Sequence, residues 1–324
     1  MAAWAEQHVG VPLLVDLRQV RAEELDPLLG YEINEWERRL DWDFRPSADL
    51  VRRFTRMQAL NGYALVSARE VVGYCYYVCE DRKGLVGDIF VRPDYASADH
   101  ELMLVKEVVR ALWATPQVYR IESQLIMLSA AARARLPMAS HLRRFPRDFM
   151  MADMSMVPSL APAANPRLQF EPWQERDQEQ AARLIATSYV GHVDSDINDQ
   201  YRSVAGGRRF LYNIVQYPGC GSFFRAGSFI AQDAVTGRIV GLSLASLVAF
   251  DVGHITQICV DPEWKGHRVG YELMRRSLDS LMHNGCRRVS LTVTASNQEA
   301  IRLYQQLGFR KADVFEAVVW EGLR

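Results

Sequence analysis

The chain has 324 residues, 49% hydrophobic and 24% charged, with 38 Lys plus Arg against 39 Asp plus Glu and a formal net charge of −1. The length suggests two domains, the composition is globular rather than disordered, and the missing basic excess argues against dedicated nucleic-acid binding. No apolar run reaches the roughly 18 residues of a membrane helix; the longest, Ile239 to Phe250, is broken by Gly and Ser. Met1 to Glu6 lack the basic-then-apolar order of a secretory signal. Cys75, Cys79, Cys220, Cys259 and Cys286 read as reduced residues of a cytoplasmic protein. Cys75 and Cys79 have no second Cys/His pair nearby, so no metal site is expected.

In chain order, Leu13 to Leu17 reads as a strand, and Ala22 to Glu37 and Ala48 to Leu60 as helices. Tyr63 to Val66 and Val71 to Val78 pair across a turn. The aromatic stretch Tyr74 to Tyr77 fits a strand covered on both faces better than a base-stacking platform. Val86 to Pro93 then repeats the pattern of Ile255 to Pro262, and each is followed by a helix containing Glu-Leu-Met. Ten residues lead from Val91 to Glu101 and twelve from Val260 to Glu272. The first loop is shorter and has no glycine, the mark of a duplication in which one copy diverged. Between the halves, Met156 to Pro166 carries three prolines, which block both helix and sheet. The expected division is 1–157 and 167–324, joined by a linker at 158–166.

In the second half, Leu168 to Trp173 reads as an edge strand and Gln178 to Tyr189 as a helix. Asp194-Ser-Asp-Ile-Asn198 starts like a calcium loop. Asp199 replaces the required Gly, however, and position twelve is Ala205, which leaves an acidic loop. Ser228 to Asp233 and Ile239 to Ala245 flank the hairpin signal Thr236-Gly237, and Gly253 to Val260 is a further strand. Lys265 to Gly270 leads into a helix from Tyr271 to His283, stopped by Asn284-Gly285. Arg288 to Val293 is a buried strand, Ser296 to Glu299 a capping box opening a helix that Gly308 ends, and Phe309 to Trp320 a last strand. Each half is thus a mixed α/β fold of α+β character, a mostly antiparallel mixed sheet flanked by helices.

A strand, a Gly-containing loop and a helix start together present backbone N–H groups and a positive dipole end to phosphate. Lys265, His267 and Arg268 add cations there. A dinucleotide fingerprint is absent, and no Gly-Lys-Ser/Thr follows to make a P-loop.

Val260-Asp-Pro-Glu-Trp-Lys-Gly-His-Arg-Val-Gly270 resembles the acyl-CoA-binding motif of the GNAT (GCN5-related) N-acetyltransferase superfamily. Asn297-Gln-Glu-Ala-Ile-Arg-Leu-Tyr-Gln-Gln-Leu-Gly-Phe309 matches the family's second signature, Asn-x-x-Ala-x-x-x-Tyr-x-x-x-Gly-Phe, at every defined position. The resemblance spans about Leu168 to Trp320, with a degenerate tandem copy before it. It implies acetyl-CoA as co-substrate. Lys265, Gly266, His267, Arg268, Val269 and Gly270 would sit at the pyrophosphate, and Asn297 and Ala300 by the pantetheine arm. Ile258, Cys259 and Val260 would offer it backbone groups as an added strand does. Tyr304 falls on the acid position and His254 on a strand that carries the base in some members, with Asp251 a weaker choice. Cys259 as a nucleophile has no base beside it. Lys265 stands where the family has Arg or Gln, and Arg268 where it has Gly, a Cβ in place of a close approach.

These residues point to an N-acyltransferase acting on a small-molecule or peptide amine. The acidic Asp194, Asp196 and Asp199 favour a cationic acceptor. Acylation of a protein N-terminus and a non-catalytic CoA sensor or scaffold are the alternatives, and the oligomeric state is left open. No nucleic-acid, membrane or metal partner is expected.

Overall fold

The computed structural model describes residues 11–163, 165–217 and 219–322. The N-terminal stretch judged not to be a signal lies outside the described residues. In chain order the elements are β1 (Leu13–Asp16), α1 (Ala22–Leu40), α2 (Arg45–Arg56), β2 (Asn61–Ser67), β3 (Glu70–Glu80), β4 (Lys83–Val91), α3 (Ala98–Ala114), β5 (Arg120–Gln124) and α4 (Ala130–Arg133). Then come β6 (Leu142–Asp153), β7 (Leu168–Pro172), α5 (Gln178–Ser188), α6 (Asp194–Ile197), α7 (Val204–Gln216), β8 (Ser222–Phe223), β9 (Phe229–Asp233) and β10 (Ile239–Ala249). The last are β11 (Val252–Val260), α8 (Val269–His283), β12 (Arg288–Thr294), α9 (Gln298–Gln306) and β13 (Arg310–Glu321).

Two compact units result, and they are not successive halves of the chain. The first holds the chain up to Glu35, Ala48–Arg144 and the chain from Glu316 onward; the second holds Trp36–Ser47 and Phe145–Phe315. In the first, the strands run in the order β1, β2, β3, β4, β5, β13, with β4 and β5 parallel. In the second, the order is β6, β12, β11, β10, β9, β7, with β11 and β12 parallel and β8 paired to β10. A strand of the first half of the sequence therefore completes the second unit. The last strand of the sequence completes the first, where Ala317–Glu321 pair with Gln124–Arg120.

The Pro-rich segment runs within the second unit rather than between units. Its Val157 and Leu160 pack on the core, and the Ala163 N–H donates to Glu272 Oε2 at 3.0 Å. Proline removes ladder donors but not apolar surface, so the segment packs without pairing.

In the first unit, α3 buries Leu102, Val105, Val108, Val109 and Leu112 at helical spacing against β3, β4 and Trp320. In the second, α8 and α9 bury Met274, Leu278, Leu281 and Ile301 with Leu291 and Phe309. Helices α5 and α7 bury Ala181, Leu184, Ile185 and Leu211 against Leu242 and Leu244. Burial of each such aliphatic side chain contributes about 1.5–3 kcal/mol, which holds both helix pairs on the sheet that frames the site.

Candidate active site

The site begins where two parallel strands part. Strand β11 pairs with β12 only from Val252↔Arg288 to Ile255↔Leu291. Beyond that point β11 stays on β10 as far as Gly241↔Val260, and β12 stays on β6 as far as Thr294↔Arg147. The facing edges of residues 256–260 and 292–294 are left as an open wedge with unpaired ladder groups, the kind of edge that accepts an extended chain. One residue creates a second feature. Leu244 pairs with Gln257 but Ala245 with Ile255, so Thr256 is a bulge, held by its hydroxyl on the Leu244 carbonyl at 3.0 Å. Strict alternation would put 255, 257 and 259 on one face. Here Ile255 packs with α8, Cys259 packs with α5, and Gln257 bonds to Tyr189 at the end of α5. The bulge re-aims the strand at the wedge.

Beyond Val260, the Asp261 carboxylate accepts the Glu263 N–H at 2.9 Å, and buried Trp264 anchors a turn. Gly266 has φ +79° and Arg268 φ +60°. Glycine adopts this left-handed region freely and Arg only with strain. Lys265, Gly266, His267 and Arg268 are exposed, and Val269 is buried beside Gly241, where an added Cβ would lie 2.7 Å from Val269 Cγ1. The Arg268 guanidinium stacks 4.5 Å over the Tyr271 ring. Among the described residues, the N–H groups of Gly266, Arg268, Val269, Gly270 and Tyr271 meet no acceptor. The first acid of α8, Glu272, is buried and neutralised by Arg275 at 2.7 Å and Arg276 at 2.8 Å. The helix start thus presents uncompensated donors and net positive charge.

At the other rim, Asn297 caps α9 by accepting the Ala300 N–H at 3.2 Å, while its Nδ2 lies 3.3 Å from His192 Nε2. Ala300 follows on the first turn. Tyr304 projects from α9 and is 6% exposed. Its hydroxyl meets no partner among the described residues and is not sealed in. Burial, with the Asp194 charge next, pushes its proton affinity well up, so it is a phenol at neutral pH able to donate.

Around it the fold gathers residues that no motif announced. Gln257 Nε2 donates to the Tyr189 hydroxyl at 3.0 Å, and the Tyr189 and Tyr201 rings stack at 4.4 Å. Arg147, from β6, reaches Asp194 Oδ1 at 3.2 Å, Thr294 Oγ1 at 3.0 Å and Thr292 Oγ1 at 3.0 Å. Thr294 also donates to Asp194 Oδ1. Of the three expected acids, Asp194 is brought to this cluster. Asp196 pairs with Arg202 at 3.4 Å, and Asp199 opens a short turn of helix beyond it.

His254 is not at the wedge. It lies on the paired part of β11, opposite Ser290, with Nδ1 2.9 Å from the Ser290 hydroxyl and Trp42 edge-on at 5.0 Å. Burial lowers its pKa to about 3, so it stays neutral and is a poor proton acceptor. Asp251 is engaged by Arg287. Burial also holds the Cys259 thiol up at about 12, far from a thiolate nucleophile.

The first unit keeps the outline but not the loop. Its strands β4 and β5 also part, after Val86↔Ser123, and Gly87 is the matching bulge. There a Cβ would fall 2.0 Å from the Tyr76 ring, so glycine is required. At the helix start, however, Ser97 accepts the His100 N–H at 3.2 Å, and Asp94, Asp99 and Glu101 surround it. Arg92 is taken by Asp94 at 2.7 Å and Glu70 at 2.9 Å. Where the second unit has Gln257, this one has buried Asp88 beside Glu32, its pKa raised by burial to about 7. Acids at a capped helix start repel phosphate.

Residues 169–309 match the family described as Acetyltransferase (GNAT) family. A mycothiol acetyltransferase of Nocardiopsis dassonvillei is 25% identical over 248 residues, 70% of this chain and 72% of that protein. A GCN5-related N-acetyltransferase from Sphaerobacter thermophilus has the same fold, with TM-score 0.67, 18% identity and 96% of each chain covered. So does a tandem GNAT protein from the clavulanic acid biosynthesis pathway, with TM-score 0.59, 15% identity, and 95% of this chain and 98% of that one covered. The matched region lies within the unit that carries the wedge, the loop and Tyr304, and these matches together support a GNAT-family acetyltransferase domain in that part of the chain.

Proposed function

We propose that the chain transfers an acetyl group from acetyl-CoA to a primary amine in the second unit. The observation that carries this is the continuity of two unsatisfied surfaces. The open edges of β11 and β12 are followed, directly after Val260, by the free N–H groups and cations of the α8 start. An acylated pantetheine arm has amides to complete the first, and its diphosphate suits the second. Gly266 to Gly270 hold the phosphates, Ile258 to Val260 the arm, and Asn297 keeps Ala300 and α9 in place beside it. The amine enters near Asp194, whose Oδ2 has no hydrogen-bond donor among the described residues. That free oxygen suits an ammonium, and similarity to a mycothiol acetyltransferase supports a small acceptor.

Attack of the amine on the thioester expels a thiolate, and Tyr304 is the donor placed to protonate it. Tyr304→Phe keeps the ring in its packing and removes only the hydroxyl. Positioned acid catalysis is worth about 10²–10⁴-fold, so kcat for thiol release should fall by that order with acetyl-CoA affinity little changed. Unchanged turnover would refute the acid role. A wild type that binds acetyl-CoA but releases no thiol with any amine would favour the sensor alternative.

A further inference from the structure

We infer that His192 and Asn297 form a two-donor clamp for an oxygen atom of the acceptor, so that the amine acylated here carries a hydroxyl or carbonyl oxygen one or two carbons from its nitrogen. This rests on the acyl-transfer reading above and deepens it. There the acceptor is any primary amine, and the clamp narrows it to an amino alcohol or an aminoacyl compound.

His192 lies between α5 and α6, its side chain 25% exposed and set edge-on to Tyr189 at 5.2 Å. The Asp194 N–H points at its Nδ1 from 3.1 Å. A ring nitrogen that accepts a hydrogen bond holds a lone pair, so the imidazole is neutral and carries its one proton on Nε2. Nε2 faces the Asn297 amide nitrogen at 3.3 Å. Asn297 is not free to turn over and offer its oxygen, because Oδ1 accepts the Ala300 N–H at 3.2 Å as the cap of α9. Two N–H donors therefore converge at the rim of the wedge, and neither meets an acceptor among the described residues. They cannot satisfy each other, whereas an oxygen placed between them accepts from both.

The same tautomer keeps the neighbouring carboxylate available. Asp194 Oδ2 lies 3.9 Å from Nδ1, and a nitrogen that holds a lone pair gives that oxygen no proton. The other oxygen, Oδ1, is held by Arg147 at 3.2 Å and by the Thr294 hydroxyl. One imidazole ring thus separates an open carboxylate oxygen, on its Nδ1 side, from the pair of donors, on its Nε2 side. An ammonium on the first and an oxygen on the second belong to one small molecule in which one or two carbons join them. The amides of the pantetheine arm have the backbone edges of residues 256–260 and 292–294 to pair with. The Asn297 amide nitrogen carries two hydrogens, so it can serve the arm and the clamp together. A plain alkylamine would fill the carboxylate side and leave both donors unpaired, which a site built on hydrogen bonds penalises.

The test compares matched pairs of amines in thiol release from acetyl-CoA: ethanolamine against propylamine, and glycinamide against isobutylamine. Members of a pair differ in basicity, so the quantity read is the change in their kcat/KM ratio between wild type and variant, in which that difference cancels. His192→Phe keeps a ring and removes the donor. It should lower the preference for the oxygen-bearing member about 2–10-fold, chiefly through its KM, with acetyl-CoA affinity unchanged. His192→Gln restores an N–H donor and should recover most of that preference. A ratio that is the same in wild type and His192→Phe overturns the inference. So does a loss of acetyl-CoA affinity with the ratio unmoved, which would give the donors to the pantetheine arm. If the wild type acylates neither member of either pair, the acyl-transfer reading fails for them, and nitrogen-15 NMR at mildly alkaline pH decides the clamp separately. The His192 proton must then sit on Nε2, and its signal must move with ethanolamine and not with propylamine; a proton on Nδ1, or equal shifts, overturns the clamp.

Discussion

Arg268 holds a backbone conformation that glycine adopts freely, and this conformation sets the sign of the effect of replacing it. Its φ of +60° places an L side chain in the left-handed region, at about 1–2 kcal/mol. Stacking on Tyr271 at 4.5 Å returns about 0.5–1 kcal/mol for an exposed pair. Arg268→Ala keeps the strain and loses the stacking, so it should destabilise by about 0.5–1 kcal/mol. Arg268→Gly loses the stacking too and adds about 0.5–1 kcal/mol of backbone entropy, but relieves the strain, and comes out near the wild type. Gly should therefore melt about 1–4 °C above Ala for a unit of this size. Affinity for CoA should follow charge instead of strain. Both variants remove one exposed cation near the phosphates, worth up to about 1 kcal/mol, and both should bind severalfold more weakly at low salt, with the deficit shrinking as salt screens it. Thermal melts and calorimetric titration with CoA at low and high salt measure the two orders independently. Ala as stable as Gly would refute the strain argument. Wild-type affinity in both variants would refute the contact with phosphate.

Two further predictions follow from the same geometry. Calorimetry should find one acetyl-CoA site per chain, because the first unit caps its helix start with Ser97 and lines it with Asp94, Asp99 and Glu101; two equivalent sites would overturn that reading. His254→Gln should leave the acidic limb of the rate profile in place and change the acid stability. The folded pKa of about 3 lies below the unfolded 6.5, so the unfolded chain binds the extra proton, and the stability present above about pH 6.5 is lost as pH falls toward 3. The variant should unfold with a flatter pH dependence over that window, and an unchanged slope in acid-unfolding curves would count against it.

Much of this protein was legible in its residue order because the signals are local. Hairpin turns, caps and helical stripes act over a few residues, so the strand ending at Val260, the loop at Gly266 and the Tyr304 helix were readable where they stand. Strand β6 was not. Its Arg143, Arg144, Arg147 and Asp148 interrupt any apolar alternation, and their partners Glu321, Glu316, Asp194 and Lys311 lie 47 or more residues away in sequence. The compact units divide the chain elsewhere than at its prolines for a related reason. Prolines at 158–166 mark where pairing stops, whereas unit membership follows which strand completes which ladder, as Arg147–Asp153 does with Thr294–Arg288.

The sequence by itself determined the strand ending at Val260, the glycine-containing loop that leads into α8 and the helix that carries Tyr304, because each depends on a run of neighbours. Only the tertiary structure decided which side chains share the wedge. The Thr256 bulge and the parting of β11 from β12 turn Gln257 toward Tyr189 and leave His254 against Trp42. Strand β6 brings in Arg147, and the turn between α5 and α6 brings in His192 and Asp194. Burial then holds His254 neutral within the sheet, since the cost of charging an imidazole depends on what surrounds it.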